Sequence, residues 1–161
     1  MYIEYSEYAA LYDAPDLSAF NRLAYQACSI IDRHTTGVDG IKKLKVAFPV
    51  DEDSAAAVKH CAAHIVNFLH QIMEAEKSAS MARAYTETEN GLQGRIISSV
   101  TAGNESISYS TAQAQKTAAD MAMTDLAYRN NHIRSIVREY LSGVTDANGV
   151  NLLYMGVYPR V

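Results

Sequence analysis

The chain has 161 residues, with 14 basic against 18 acidic side chains and a formal net charge of −4. That length suits one domain with a core of its own. The acidic balance, with Lys42-Lys43-Lys45 as its densest basic stretch, argues against a protein that grips the nucleic-acid backbone, because such affinity comes from neutralising several phosphates.

The opening segment carries Tyr2, Tyr5, Tyr8 and Tyr12. Spacings of three and four put them on one side of a helical turn or a packed coil. The stretch is acidic where an export signal would be basic, so no export is expected. Pro15 stops what precedes it, and Asp16 is placed to cap a new helix. That helix is expected from Leu17 to Thr35, with Phe20, Leu23, Ala24, Ala27, Cys28, Ile30 and Ile31 as its apolar stripe. Thr36 and Gly37 follow its end.

Residues 38–50 read as a connector with a short helical turn, closed by Pro49. A second helix starts among Asp51, Asp53 and Ser54 and carries Val58, Cys61, Ala62, Ile65, Phe68, Leu69 and Ile72 for five turns. It fades near residue 85. No apolar run reaches the ~20 residues of a membrane span. Cys28 and Cys61 read as small buried hydrophobes in a reducing compartment.

Asn90-Gly91 marks a turn. A Ser/Thr/Gly-rich insert follows at about 95–111. Ile97, Val100 and Thr101, a turn at Gly103-Asn104, then Ile107 and Tyr109 alternating with serines predict a small β-hairpin. A third helix is expected from about 112 to Leu141, weakened and kinked around Arg129-Asn130-Asn131-His132, with Gly143 past its end. The Asp146-Ala147-Asn148-Gly149 turn launches an apolar arm at about 150–161, with Leu152, Leu153, Tyr154, Met155, Val157 and Tyr158. The predicted fold is mainly α: one domain, a small bundle of three to four helices, a hairpin-like insert before the last long helix, and an extended C-terminal tail. A bundle of this kind needs neither insert nor tail to fill its core, so both read as segments that touch another molecule.

Catalytic signals are sparse. His60 and His64 are four apart on one helix, a spacing that suits a metal, but the position after His60 is Cys61 rather than the Glu of a metalloprotease motif. A zinc site needs a third and usually a fourth ligand. Gly91 and Gly94 belong to no phosphate loop, and no nucleophile has an evident base. No cofactor and no enzymatic activity are expected. The 11 tyrosines, against three Phe and no Trp, suit interfaces, where an apolar ring and a polar tip are both useful.

Four stretches, in order, resemble the head–tail connectors (head-completion adaptors) of long-tailed double-stranded DNA bacteriophages. They are Tyr2-Ile3 with Glu7-Tyr8; Phe20, Leu23, Ala27 and Ile31-Asp32 with Thr35; the insert Ile97 to Gly103 with Ser106-Ile107-Ser108-Tyr109; and Tyr140-Leu141-Ser142-Gly143 with Leu152 to Val157. Ser99 stands where the family has Glu, Met155 where a basic residue is usual, and residues 146–151 are extra. The resemblance implies a structural virion protein of the head–tail neck, present in the host cytoplasm during assembly. It implies a homo-oligomeric ring, about twelve-fold, that binds beneath the portal and extends the DNA channel. It would offer a surface to the next neck or tail protein, a stopper or tail-completion protein. Double-stranded DNA would pass without sequence-specific binding. The insert residues Ile97, Val100, Thr101, Gly103, Ile107 and Tyr109 would reach the adjacent subunit, and the arm would order on meeting the portal. Two readings of other classes remain open: a small helical metal-binding enzyme built on His60 and His64, and a single-strand DNA-binding accessory factor that stacks bases on its tyrosines.

Overall fold

The computed structural model describes residues 1–83, 99–102, 105–108 and 117–159, with side chains for 1–80 and 117–159. It is a helical bundle. The short α1 (Tyr5–Ala9) leads into α2 (Leu17–Thr35), a single turn α3 (Lys43–Val46) and the long α4 (Glu52–Arg83). Strands β1 (Ser99–Ala102) and β2 (Glu105–Ser108) follow, then α5 (Ala118–Thr124) and α6 (Leu126–Leu141). The two strands pair antiparallel, Val100 opposite Ile107 and Thr101 opposite Ser106.

The central element is α4, which packs against α2, α5 and α6. At 32 residues it is about 48 Å long. Its middle is buried at nearly every position, including Val58, Cys61, Ala62, Ala63, Ile65, Val66, Phe68 and Leu69. An apolar belt this broad is what a helix needs when it is covered on several sides. On α2 the buried positions Phe20, Leu23, Ala24, Ala27 and Ile31 form one stripe, with Asp16 Oδ1 accepting the Ala19 N–H at 2.9 Å as the expected cap. Asp51 caps α4 in the same way, through the Ser54 N–H at 2.9 Å.

The N-terminal tyrosines take different roles. Tyr8 is fully buried against Phe20, their ring centroids 5.4 Å apart. Tyr2 stacks on Phe48 and donates its hydroxyl to the buried Asp32, which also pairs with Lys45 at 3.4 Å. Burial first, and the Asp32 carboxylate second, push the Tyr2 hydroxyl to a higher pKa.

The expected third helix is corrected. It is two helices, and the break is at Asp125 rather than at Arg129-Asn130-Asn131-His132, which is regular helix. The reason is local hydrogen bonding. Asp125 Oδ1 accepts the N–H groups of Ala127 and Tyr128 at 2.8 and 3.1 Å, so its side chain competes for the role of helix start. Thr117 and Asp120 form a capping box that starts α5, Thr117 N–H donating to Asp120 Oδ2 at 2.9 Å. Residues 112–116 lie outside the described residues.

Candidate functional site

The C-terminal arm begins where α6 ends. Gly143 adopts φ +81°, a left-handed turn that a side chain would strain. Thr145 and Asn151 then bridge antiparallel. Between them Asp146 Oδ1 accepts the N–H groups of Asn148 and Val150, both at 2.9 Å, and Gly149 turns at φ +75°. The Leu152 N–H donates to the Val144 carbonyl at 2.9 Å and directs the Leu152 side chain inward, where it is fully buried in the main core.

Lys43 holds the arm from the other side. It is fully buried, and its Nζ donates to the carbonyls of Asn151 and Leu152, each at 3.1 Å, and to that of Tyr154. The ammonium also sits 5.6 Å from the Tyr154 ring centroid. Three carbonyls and a ring face replace its water. Burial pulls the Lys43 pKa below the usual lysine value, against the opposing pull of the Asp146 and Asp39 carboxylates.

A second loop completes the clasp. Thr36 and Lys42 bridge antiparallel, and the residues between them meet the arm. The Val38 N–H donates to the Met155 carbonyl at 3.1 Å. Gly37 packs so closely that a Cβ there would stand 2.5 Å from the Gly156 carbonyl oxygen. Asp39 Oδ2 accepts the Tyr158 N–H at 2.7 Å and Asp39 Oδ1 the Ile41 N–H at 3.1 Å. The Tyr158 hydroxyl donates to Asp146 Oδ2 at 2.6 Å and accepts from Asn148 Nδ2 at 2.8 Å.

The expectation that the core does without the tail is therefore corrected. Leu152 is a core residue, Leu153 packs half-buried against the core, and Tyr158 is buried. The arm is docked on its own body because Lys43, Asp39 and Asp146 satisfy its backbone and its tyrosine. What it presents outward is Tyr154, Met155 and Val157, 52%, 53% and 66% exposed, beside Val38 at 76%. In the sequence Lys43 stands as one charge of the basic stretch Lys42-Lys43-Lys45, and Asp39 as an ordinary connector residue. Neither carries a local signal, since both act on residues more than a hundred positions away.

Of the insert residues, Ile97, Gly103 and Tyr109 lie outside the described residues, as do the side chains of Val100, Thr101 and Ile107. His60 is exposed on α4. His64 turns toward α6, its ring edge-on to Tyr140 at 5.7 Å, with Nδ1 buried and without a partner among the described residues. Burial lowers its pKa, Glu139 raises it and His132 lowers it again. No group of three or more His, Cys, Asp or Glu side chains among the described residues is placed to hold a metal. Both cysteines are free, and no helix among the described residues is long and apolar enough to cross a membrane.

No protein-family model, curated protein or solved structure matches the chain.

Proposed function

We propose that this chain is a ring-forming head–tail connector of a long-tailed double-stranded DNA bacteriophage. It binds beneath the portal, lengthens the DNA channel and offers the attachment surface for the next neck or tail protein. The reading rests on the ordered resemblance of four stretches. The observation that carries it structurally is the apolar group Val38, Tyr154, Met155 and Val157, exposed on a clasp that Lys43 and Asp39 hold in one shape. Exposed apolar residues gathered on a fixed surface mark a place where another protein binds, and pre-ordering the arm lowers the entropy lost on binding.

Removing the arm outright is a poor test, because Leu152 belongs to the core. Single charges on the exposed residues are cleaner. Met155→Asp and Val157→Asp should leave thermal unfolding within a degree or two of wild type, while a purified portal ring no longer retains the protein on co-sedimentation. Light scattering and electron microscopy of the wild type should show rings, alone or on the portal. Retention of both variants at wild-type levels, or no portal binding by the wild type itself, would sink the proposal.

A further inference from the structure

Five arginines of this chain are scattered in sequence and gathered in space. Arg22, Arg33, Arg129, Arg134 and Arg138 all lie along the seam between α2 and α6. Arg22 and Arg129 line one groove with Gln26 and Glu76. Arg129 and Arg33 line the adjoining one with Tyr25 and Ser29. Arg33, His34, Asn130 and Arg134 line the next. Arg138 is near enough to act on His34, whose pKa is lowered by burial first and then by Arg33, Arg134 and Arg138.

Among the described residues these guanidiniums have no carboxylate partner. The ion pairs among the described residues are Lys45–Asp32, Lys59–Glu7 and Lys77–Glu74, and none uses an arginine. Arg22 makes one weak contact, to Met73 Sδ at 3.4 Å. Glu76 closes one end of the seam, and the buried Asp32 is already engaged by Tyr2 and Lys45. Within a chain of net charge −4, the described residues thus gather five arginines on one face with Glu76 at its end.

The geometry has the scale of a phosphate backbone. Arg22 and Arg33 are eleven residues apart on α2, close to three full turns, so they share a face about 16 Å long. That spans roughly five base steps of a duplex, at about 3.4 Å per step on each strand. Gln26 and Ser29 stand between them as neutral hydrogen-bonding groups, and Tyr25 projects from the same stripe with 76% of its surface exposed. Beyond Tyr25 and Ser29 lies Lys42, beside the Lys45–Asp32 ion pair.

We infer that the α2–α6 face is a contact surface for the phosphate backbone of double-stranded DNA, with Arg33 and Arg134 at its centre. Contacts from these guanidiniums to phosphates position a duplex without reading its sequence. An acidic protein would supply the same charge. Protein interfaces also take arginine, but around an apolar, fully buried centre; here arginines alternate with Gln26, Ser29 and Asn130, the polar and strongly positive make-up of protein–DNA interfaces. The inference does not depend on ring formation, so it can fail or hold separately from the connector reading.

The test is fluorescence anisotropy of a labelled duplex with the full chain, over a salt series. Neutralising four to five phosphates predicts a slope of log K against log salt of about −4, a loss on the order of 10²-fold between 50 and 200 mM salt. Arg33→Gln with Arg134→Gln should weaken binding at each salt and flatten the slope by about two. Lys59→Gln, on α4 beside Glu7 and away from the seam, should change neither. Thermal unfolding of each variant verifies the fold. No binding at low salt overturns the inference, as does an unchanged slope in the arginine pair. Polyglutamate of matched charge that competes as well as the duplex overturns it in favour of an acidic protein.

Discussion

Lys43 meets Tyr154 twice: its ammonium donates to the Tyr154 carbonyl and lies 5.6 Å from the centroid of the same residue's ring. With the Asn151 and Leu152 carbonyls also engaged, one side chain sets the path of four consecutive arm residues. The group is a point charge with three donors on a long apolar stem, and that shape suits three converging carbonyls better than the planar fork of arginine would.

Removing this charge should free the arm without dissolving the bundle. Lys43→Met keeps the stem and deletes the donors, which leaves three carbonyls short of a partner. A loss of roughly 2–4 kcal/mol is expected in urea unfolding. Protease cleavage near residues 153–157 should appear before any loss of helical signal. A variant as stable and as resistant as wild type would mean that the cage is incidental to the arm's position.

Acid should act on the same clasp through Asp39. Its carboxyl is held below the ordinary 3.8, first by the Tyr158 N–H and then by that of Ile41. A depressed folded pKa means the unfolded chain takes up the proton first. The contribution is therefore fully present above about pH 4 and is lost as pH falls through the lowered value. Amide hydrogen exchange of the arm, corrected for its intrinsic pH dependence, should rise below pH 3.8 in wild type. In Asp39→Asn it should already be raised at neutral pH and change less on acidification. Equal pH profiles for the two proteins would remove Asp39 from the clasp.

Much of the bundle was readable because it follows period. The stripes on α2 and α4 repeat every three or four residues, and Asp16 stands where a cap belongs. The break after Thr124 was harder. Met121, Ala122 and Leu126 keep helical spacing across it, so periodicity alone runs straight through Asp125. The clasp was illegible for another reason. Gly37, Asp39 and Lys43 do their work on Gly156, Tyr158 and Asn151, and sequence patterns at one site carry no sign of the other. The arginine face was hidden in the same way: Arg22 and Arg33 lie about a hundred residues before Arg129 and Arg134, and neither pair looks basic in its own neighbourhood.

Asp125 offers a direct check on that break. Its carboxylate receives two backbone N–H groups at the start of α6, so Asp125→Ala should cost about 1 kcal/mol in unfolding free energy. Asp125→Asn keeps an acceptor and should recover most of it. Equal stability of the alanine and asparagine variants would show that the turn, rather than the cap, sets the break.

The opposite sign is expected at Tyr8. Its ring is packed between Tyr12 and Phe20, with centroids 5.5 and 5.4 Å away, but its buried hydroxyl has no hydrogen-bond partner among the described residues. Burial first, then Tyr12 and Asp13, push that hydroxyl up to about 12. Tyr8→Phe keeps the ring contacts and deletes the orphan group, so it should stabilise the fold by about 1 kcal/mol at neutral pH. The raised pKa adds a second signature. The unfolded chain ionises near the ordinary 10.0, so the stability associated with the neutral hydroxyl is complete below that value. It is lost as pH rises through about 12. The advantage of Tyr8→Phe over wild type should therefore widen across that interval in alkaline unfolding curves. A destabilised variant would mean that the hydroxyl has a hydrogen-bond partner after all.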